Sequence, residues 1–193
     1  MRKLSVFDHV SLDGYFVDAA GDMSWAHQND DAEWSEFTSQ NASGDAVLVF
    51  GRVTYDMMAG FWTTAQARKA APDVAERMNA MPKVVFSRTL REAAWPNTTI
   101  LKGDLAAHVR ALKQQRGPDL VIMGSGTIVA QLTQAGAIDA YQLVVNPIVL
   151  GAGRTLFEGV EKPVRLVLAR ERRFGNGNVV LWYQTAAREM HAE

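Results

Sequence analysis

Residues 120–132, LVIMGSGTIVAQL, carry an apolar run into Gly124, Ser125 and Gly126 and then into a second apolar stretch with helical spacing. At a strand-to-helix junction, glycines let backbone N–H groups approach a phosphate, and the helix N-terminus adds partial positive charge. VFGRVTY repeats the arrangement: Gly51 ends a strand, Arg52 suits a bidentate phosphate pair, and Thr54 suits a helix cap that also donates to phosphate oxygen. VVFSR places Ser87 and Arg88 at a third strand end. Three such ends predict one anion-binding edge on an open α/β sheet. The full G-x-G-x-x-G fingerprint is missing, because Val129 stands in the third glycine's place.

Other chemistries find less support. Ser125 has glycines as immediate neighbours, so the G-x-S-x-G nucleophile elbow is absent. His9, His27, His108 and His191 show no metal-ligand spacing, so no metal is expected. Zero cysteines rule out disulfides, thiolate zinc sites and a cysteine nucleophile, and fit a reducing compartment. Twenty basic against 21 acidic residues leave no global attraction to nucleic acid or anionic lipid. Asp8 and Asp13 come too early for a secretory leader and no run of about 18 apolar residues occurs, so a cytoplasmic protein is expected.

The elements that must hold these residues read as one domain over 1–193, with a core of about 3–184 and a tail over 185–193. Strands are expected at 3–12, 45–51, 83–88 and 98–101, and in DLVIMG and AYQLVV. Helices are expected from Asn29 or Asp30 through residue 42, from Arg52, near 73–80, over 104–115 and in TIVAQLTQAG. YFVDAAGDMSWAHQND reads as a long loop, and the basic run 170–173 as a solvated hairpin face. Strands alternating with helices predict a mostly parallel sheet covered on both faces, and Asn176-Gly177 predicts a C-terminal antiparallel hairpin.

The order SLDG, a loop tryptophan, FGRVTY, FSR, MGSGTIVAQL and NPIVLGAGRTLF resembles the dihydrofolate-reductase-like superfamily over about residues 3–184. It looks most similar to the branch of the C-terminal reductase domain of bifunctional riboflavin-biosynthesis enzymes. The resemblance implies an α/β three-layer fold and an NADPH-dependent reductase acting on a small heterocycle of pterin or pyrimidine type. By resemblance, Gly51, Arg52 and Thr54 hold adenine-side phosphates, and Ser87 and Arg88 meet the 2′-phosphate and adenine. Gly124, Ser125, Gly126, Thr127 and Ile128 cradle the pyrophosphate, and the nicotinamide lies near His9, Phe16 and Trp25.

Dihydrofolate reductases carry an acid five residues after the loop tryptophan; here Trp25 and Asp30 have that spacing, with Asp31 as rival. The resemblance makes Asp30 the catalytic carboxylate, with Trp25, Asp31 and Asn146 on the substrate side. An acid at a helix start is also what the helix dipole favours, so a plain capping role stands beside it. Asp13 is expected to fix the turn before Gly14. The threonine that seats a pterin is replaced around Val145 and Asn146, and Phe7 and Met123 stand where the riboflavin enzymes have a lysine and an acid. A homodimer through the apolar C-terminal strands is expected from the riboflavin relatives. The alternatives are a non-catalytic nucleotide-binding or interaction protein on this fold, and a true dihydrofolate reductase.

Overall fold

The computed structural model describes residues 1–28, 31–42 and 44–186. Its strands are β1 (Leu4–Ser11), β2 (Tyr15–Val17), β3 (Ala46–Gly51), β4 (Lys83–Phe86), β5 (Thr98–Leu101), β6 (Asp119–Met123), β7 (Ala140–Asn146), β8 (Arg154–Thr155), β9 (Leu166–Arg173) and β10 (Val179–Thr185). Its α-helices are α1 (Ala32–Asn41), α2 (Arg52–Trp62), α3 (Ala65–Ala70), α4 (Pro72–Ala80), α5 (Leu105–Gln114) and α6 (Gly126–Gln134). The main sheet has the order β5-β4-β3-β6-β1-β7-β10-β9. All neighbours from β5 to β7 pair in parallel, whereas β10 is antiparallel to β7 and to β9. The chain therefore has the α/β, mostly parallel architecture and the C-terminal hairpin that its sequence predicts.

Side chains alternate across a strand, and this sorts the core into two faces. Val47 and Val49 of β3 join Val109, Val129 and Leu132 on the side of α5 and α6. Leu48 and Phe50 join Tyr55, Met78 and Trp95 on the side of α2 and α4. On that second side, Trp34 and Phe37 of α1 pack on Val144, Phe174 and Val180 as a separate cluster. Lys83, 1% exposed, donates to the carbonyls of Asn79, Met81 and Pro96 and lies over the Trp95 ring, so its charge anchors the turns around β4.

Local chemistry moves several boundaries. Helix α1 starts later than expected, at Ala32, because the Asp31 carboxylate caps it by accepting the Trp34 amide at 2.7 Å. Helix α3 is absent from the sequence reading: alanines give it no apolar stripe, and its start is set by Thr64, which accepts from the Ala67 amide. The long loop after β1 contains β2, paired with β8, and a 3-10 turn at Ser24–His27. In the hairpin the Gly177 amide reaches the Phe174 carbonyl at 3.1 Å with Gly177 at φ 92, the left-handed position of a three-residue connection. The basic run lies on the outer edge strand β9, mostly exposed as expected, and Arg172 pairs with Glu33 of α1. Among the described residues no helix is long and apolar enough to cross a membrane.

Candidate functional site

Because β3, β4 and β6 run parallel, Gly51, Ser87 and Gly124 reach the same edge of the sheet. Two of these junctions are bonded directly. Ser125 Oγ accepts the Gly51 amide at 2.7 Å and donates to Thr54 Oγ1 at 2.8 Å. To make both bonds Ser125 sits left-handed at φ 73 and ψ 63, which costs a non-glycine residue about 1–2 kcal/mol; two bonds worth about 1 kcal/mol each offset it. The turns touch: a Cβ on Gly51 would lie 3.0 Å from Ser125 Oγ, and one on Gly124 3.0 Å from Thr54 Cγ2.

The N-termini of α2 and α6 are thus held together, and neither receives a side-chain cap. Thr54 does not cap α2 as its sequence position suggested; Gly51 is the N-cap, and the threonine hydroxyl serves the bridge to Ser125 instead. The Ile128 amide is used by the Ser125 carbonyl, which leaves the amides of buried Gly126 and exposed Thr127 without a partner among the described residues. Arg52 turns along its helix to Asp56 at 2.9 Å, with both side chains half exposed. Ser87 accepts the amides of Thr89 and Leu90, closing a turn, while Arg88 beside it is exposed and has no ion pair among the described residues.

Next to this bridge the sheet opens. Strand β1 pairs with β6 only as far as Phe7↔Met123 but follows β7 to Ser11↔Asn146. The Lys3 carbonyl serves β6 and the Leu4 carbonyl serves Asp139, so odd-numbered peptide groups of β1 face β6. The His9 amide therefore points into a slot that β6 has left. It is taken by the neighbouring Asp8, whose Oδ1 accepts it at 2.9 Å. Asp8 is 3% exposed on the Val6 and Val10 side, and its Oδ2 has no partner among the described residues. Burial pushes this carboxyl up to about 7, partly opposed by the His9 amide. Phe16 closes the slot toward α6, its ring 2.6 Å from where a Cβ on Gly126 would sit.

On the opposite face Phe7 packs with the α1 cluster and Met123 with the α2 cluster, although the two residues are neighbours across β1 and β6. Both are partly exposed, so the sheet surface between α1 and α2 is left open there as a shallow cleft. His9 follows Phe7 on this face, 5.9 Å from the Trp34 ring and 5.6 Å from His27. Burial first, then the neighbouring His27, push the His9 imidazole down to about 4. Asn146, 4% exposed, donates its Nδ2 hydrogens toward His9 Nδ1 at 3.3 Å and the Val10 and Val144 carbonyls at 3.2 Å. Trp25 is buried in the 3-10 turn and donates to the Asp22 carbonyl. Asp31 is committed as a cap, and Asp30 lies outside the described residues.

A family model described as the RibD C-terminal domain matches residues 2–180. The chain belongs to this family. The RibD C-terminal domain family is one of reductases, which supports an oxidoreductase in general. The uncharacterized protein YyaP of Bacillus subtilis (strain 168) is 27% identical over 183 residues, covering 94% of this chain and 94% of that protein. A putative riboflavin biosynthesis protein from Shewanella sp. PV-4 has a similar structure at TM-score 0.73 and 23% identity, over 96% of this chain and 99% of the other. Dihydrofolate reductase from Enterococcus faecalis, complexed with NADP(H) and RAB-propyl, aligns at TM-score 0.62 and 12% identity over 96% of this chain and 97% of that one. These last two likenesses establish the fold.

Within this RibD C-terminal domain, Arg154, His27 and Asp8 were not foreseen as site residues. Arg154 Nη2 lies 3.4 Å from Thr127 Oγ1, and its guanidinium is 5.9 Å from the Phe16 ring, beside the start of α6. It arrives there because β8 pairs with β2, an approach so close that a Cβ on Gly153 would fall 2.1 Å from the Val17 carbonyl. Asp13 supports the same loop by accepting the Leu150 and Gly151 amides and the Ser11 hydroxyl, and these bonds hold its carboxyl down to about 2. His27 is set against His9 by the 3-10 turn. Asp8 did carry a signal, a lone acid inside the apolar strand LSVFDHVS.

Proposed function

We propose that this protein is an NADPH-dependent reductase that passes hydride to a small planar heterocycle of pterin or pyrimidine type. The observation that carries the reading is the Ser125 bridge, which holds two uncapped helix N-termini together at the C-terminal edge of a parallel sheet. First-turn amides have no intrahelical partner, so those of Arg52, Val53 and Thr54 and of Gly126 and Thr127 suit a diphosphate. The Thr54 hydroxyl proton and the Arg154 guanidinium supply further donors, and exposed Arg88 suits a 2′-phosphate. The bound cofactor would supply the hydride. The chain's own residues do the positioning: Phe7 and Met123, partly exposed where β1 and β6 part, offer a flat apolar surface for the ring. The support from comparison is the reductase family and the NADP(H) complex of the structurally similar dihydrofolate reductase.

Titration with NADPH and NADH, followed by NADPH oxidation against pterin, pyrimidine and flavin panels, tests the proposal. NADPH should bind more tightly than NADH, and Arg88→Ala should narrow that preference. Thr54→Val and Arg154→Ala should each weaken NADPH by about 10- to 150-fold, the range of one charge-assisted hydrogen bond. Failure of both nucleotides to bind at about 1 mM, a threshold worth only about 4 kcal/mol, would end the reductase reading.

A further inference from the structure

The resemblance puts His9 beside the nicotinamide; in the structure its side chain lies on the sheet face that carries α1 and α2. Strand alternation puts Val6, Asp8 and Val10 toward α5 and α6, and Phe7, His9 and Ser11 toward the cleft between α1 and α2. The His9 ring is edge-on to Phe7 at 5.7 Å and to Trp34 at 5.9 Å, so it stands in the aromatic wall of that cleft. Its proton position is set by Asn146. The Val10 and Val144 carbonyls accept only, so the Asn146 atom facing them must be the amide nitrogen, and its two hydrogens are shared among those carbonyls and His9 Nδ1. A neutral imidazole that accepts at Nδ1 carries its proton on Nε2. Nε2 has no partner among the described residues, and it is not among their buried unpaired atoms.

We infer that His9 is a substrate-binding residue, donating Nε2–H to a carbonyl oxygen or imine nitrogen of a planar heterocycle lying over the partly exposed Phe7 and Met123, and that Asn146 is the positioning residue that fixes this tautomer. The inference rests on the reductase reading and deepens it. A neutral donor in an apolar cleft selects ligands that present an acceptor at that point, because a ligand with an amino group there leaves the imidazole N–H unpaired. His9 makes this contact from strand β1, so the donor needs no movement of the flanking loops.

The test uses the full chain saturated with NADPH and 2-amino-4-oxopteridine as probe, followed by calorimetry and by 15N spectra of the histidine rings. The wild type should show the Nε2–H tautomer at His9, with that resonance shifting when the probe binds. His9→Leu should weaken the probe by about 10-fold or more, His9→Gln should restore binding to within about 3-fold, and NADPH affinity should stay within about 2-fold in both. Asn146→Leu should mix the tautomers and weaken the probe by about 3- to 10-fold at unchanged NADPH affinity. Equal loss of probe and NADPH in His9→Leu would return His9 to the cofactor side and overturn the inference. So would unchanged probe affinity, or a wild type that binds NADPH but none of the oxo-pterin and oxo-pyrimidine probes. A wild type that does not bind NADPH removes the reductase reading and this inference with it.

Discussion

Asp8→Asn should change how the stability of this protein depends on pH, in a direction set by burial. The folded carboxyl has its proton lost at about 7 against an ordinary value of 3.8, with Oδ2 unpaired. Between about pH 4 and pH 7 the native state therefore holds a proton that the unfolded chain has released, and stability falls as pH rises. A shift of about 3 units at 1.36 kcal/mol each makes the loss about 4 kcal/mol, complete above pH 7 and absent below pH 4. His9 acts in the opposite sense: pushed down to about 4 from 6.5, it contributes stability above about pH 6.5 that is lost as pH falls toward 4. The two slopes largely cancel in the wild type between about pH 4 and 6.5, so the wild-type curve alone is a poor test. The difference between wild type and Asp8→Asn removes His9, which both proteins carry. Urea unfolding in steps from about pH 4 to pH 8, at constant m-value, should show the variant gaining about 4 kcal/mol relative to the wild type across the series. A difference flat within about 0.5 kcal/mol would refute the burial argument.

Gly126→Ala drives a methyl group to 2.6 Å from the Phe16 ring and should cost about 1–3 kcal/mol, read as a melting point lower by about 3–9 °C; Phe16→Leu in the same chain should recover part of it. Ser125→Ala keeps the left-handed strain and loses both bridging bonds, for about 2–3 kcal/mol, whereas Ser125→Gly relieves the strain and should cost about 1 kcal/mol less in the same denaturation assay. Lys83→Met should destabilise by about 3 kcal/mol or more, since three carbonyls lose one buried donor, and chemical denaturation should leave NADPH affinity of the folded fraction unchanged.

The sheet was legible because its strands are short apolar runs with clear stops, such as AVLVFG before Arg52 and DLVIM before Gly124. Parallel pairing then follows from the helices between them, and the edge that collects Gly51, Ser87 and Gly124 follows from parallel pairing. What each residue does at that edge was less legible, because it depends on contacts between distant turns. Thr54 looks like a cap in its own helix and is a partner of Ser125, 71 residues away. His9 looks like a cofactor neighbour along β1, and only its partners Trp34 and Asn146 show which face it takes. Arg154 belongs to a motif whose glycines are conspicuous, yet its place beside Thr127 depends on a two-stranded ribbon that forms only when β2 and β8 meet.

The glycines that first suggested a phosphate cradle are explained in part without any ligand. A Cβ on Gly51, Gly124 or Gly126 would strike Ser125, Thr54 or Phe16 respectively, so each glycine lets two protein segments touch. Their small size is what brings the ends of α2 and α6 together, and the amides converge as a consequence. Replacing any of them would disturb stability and nucleotide binding at once, and a lost affinity would not separate a phosphate contact from a spoiled junction. Thr54→Val separates the two better: valine keeps the methyl group that meets Gly124 while removing the hydroxyl. It leaves Ser125 bonded to the Gly51 amide, so stability should fall by only about 1 kcal/mol. A loss of NADPH affinity larger than that bond, alongside a nearly unchanged fold, would assign the threonine hydroxyl proton to the phosphate while its oxygen serves the bridge.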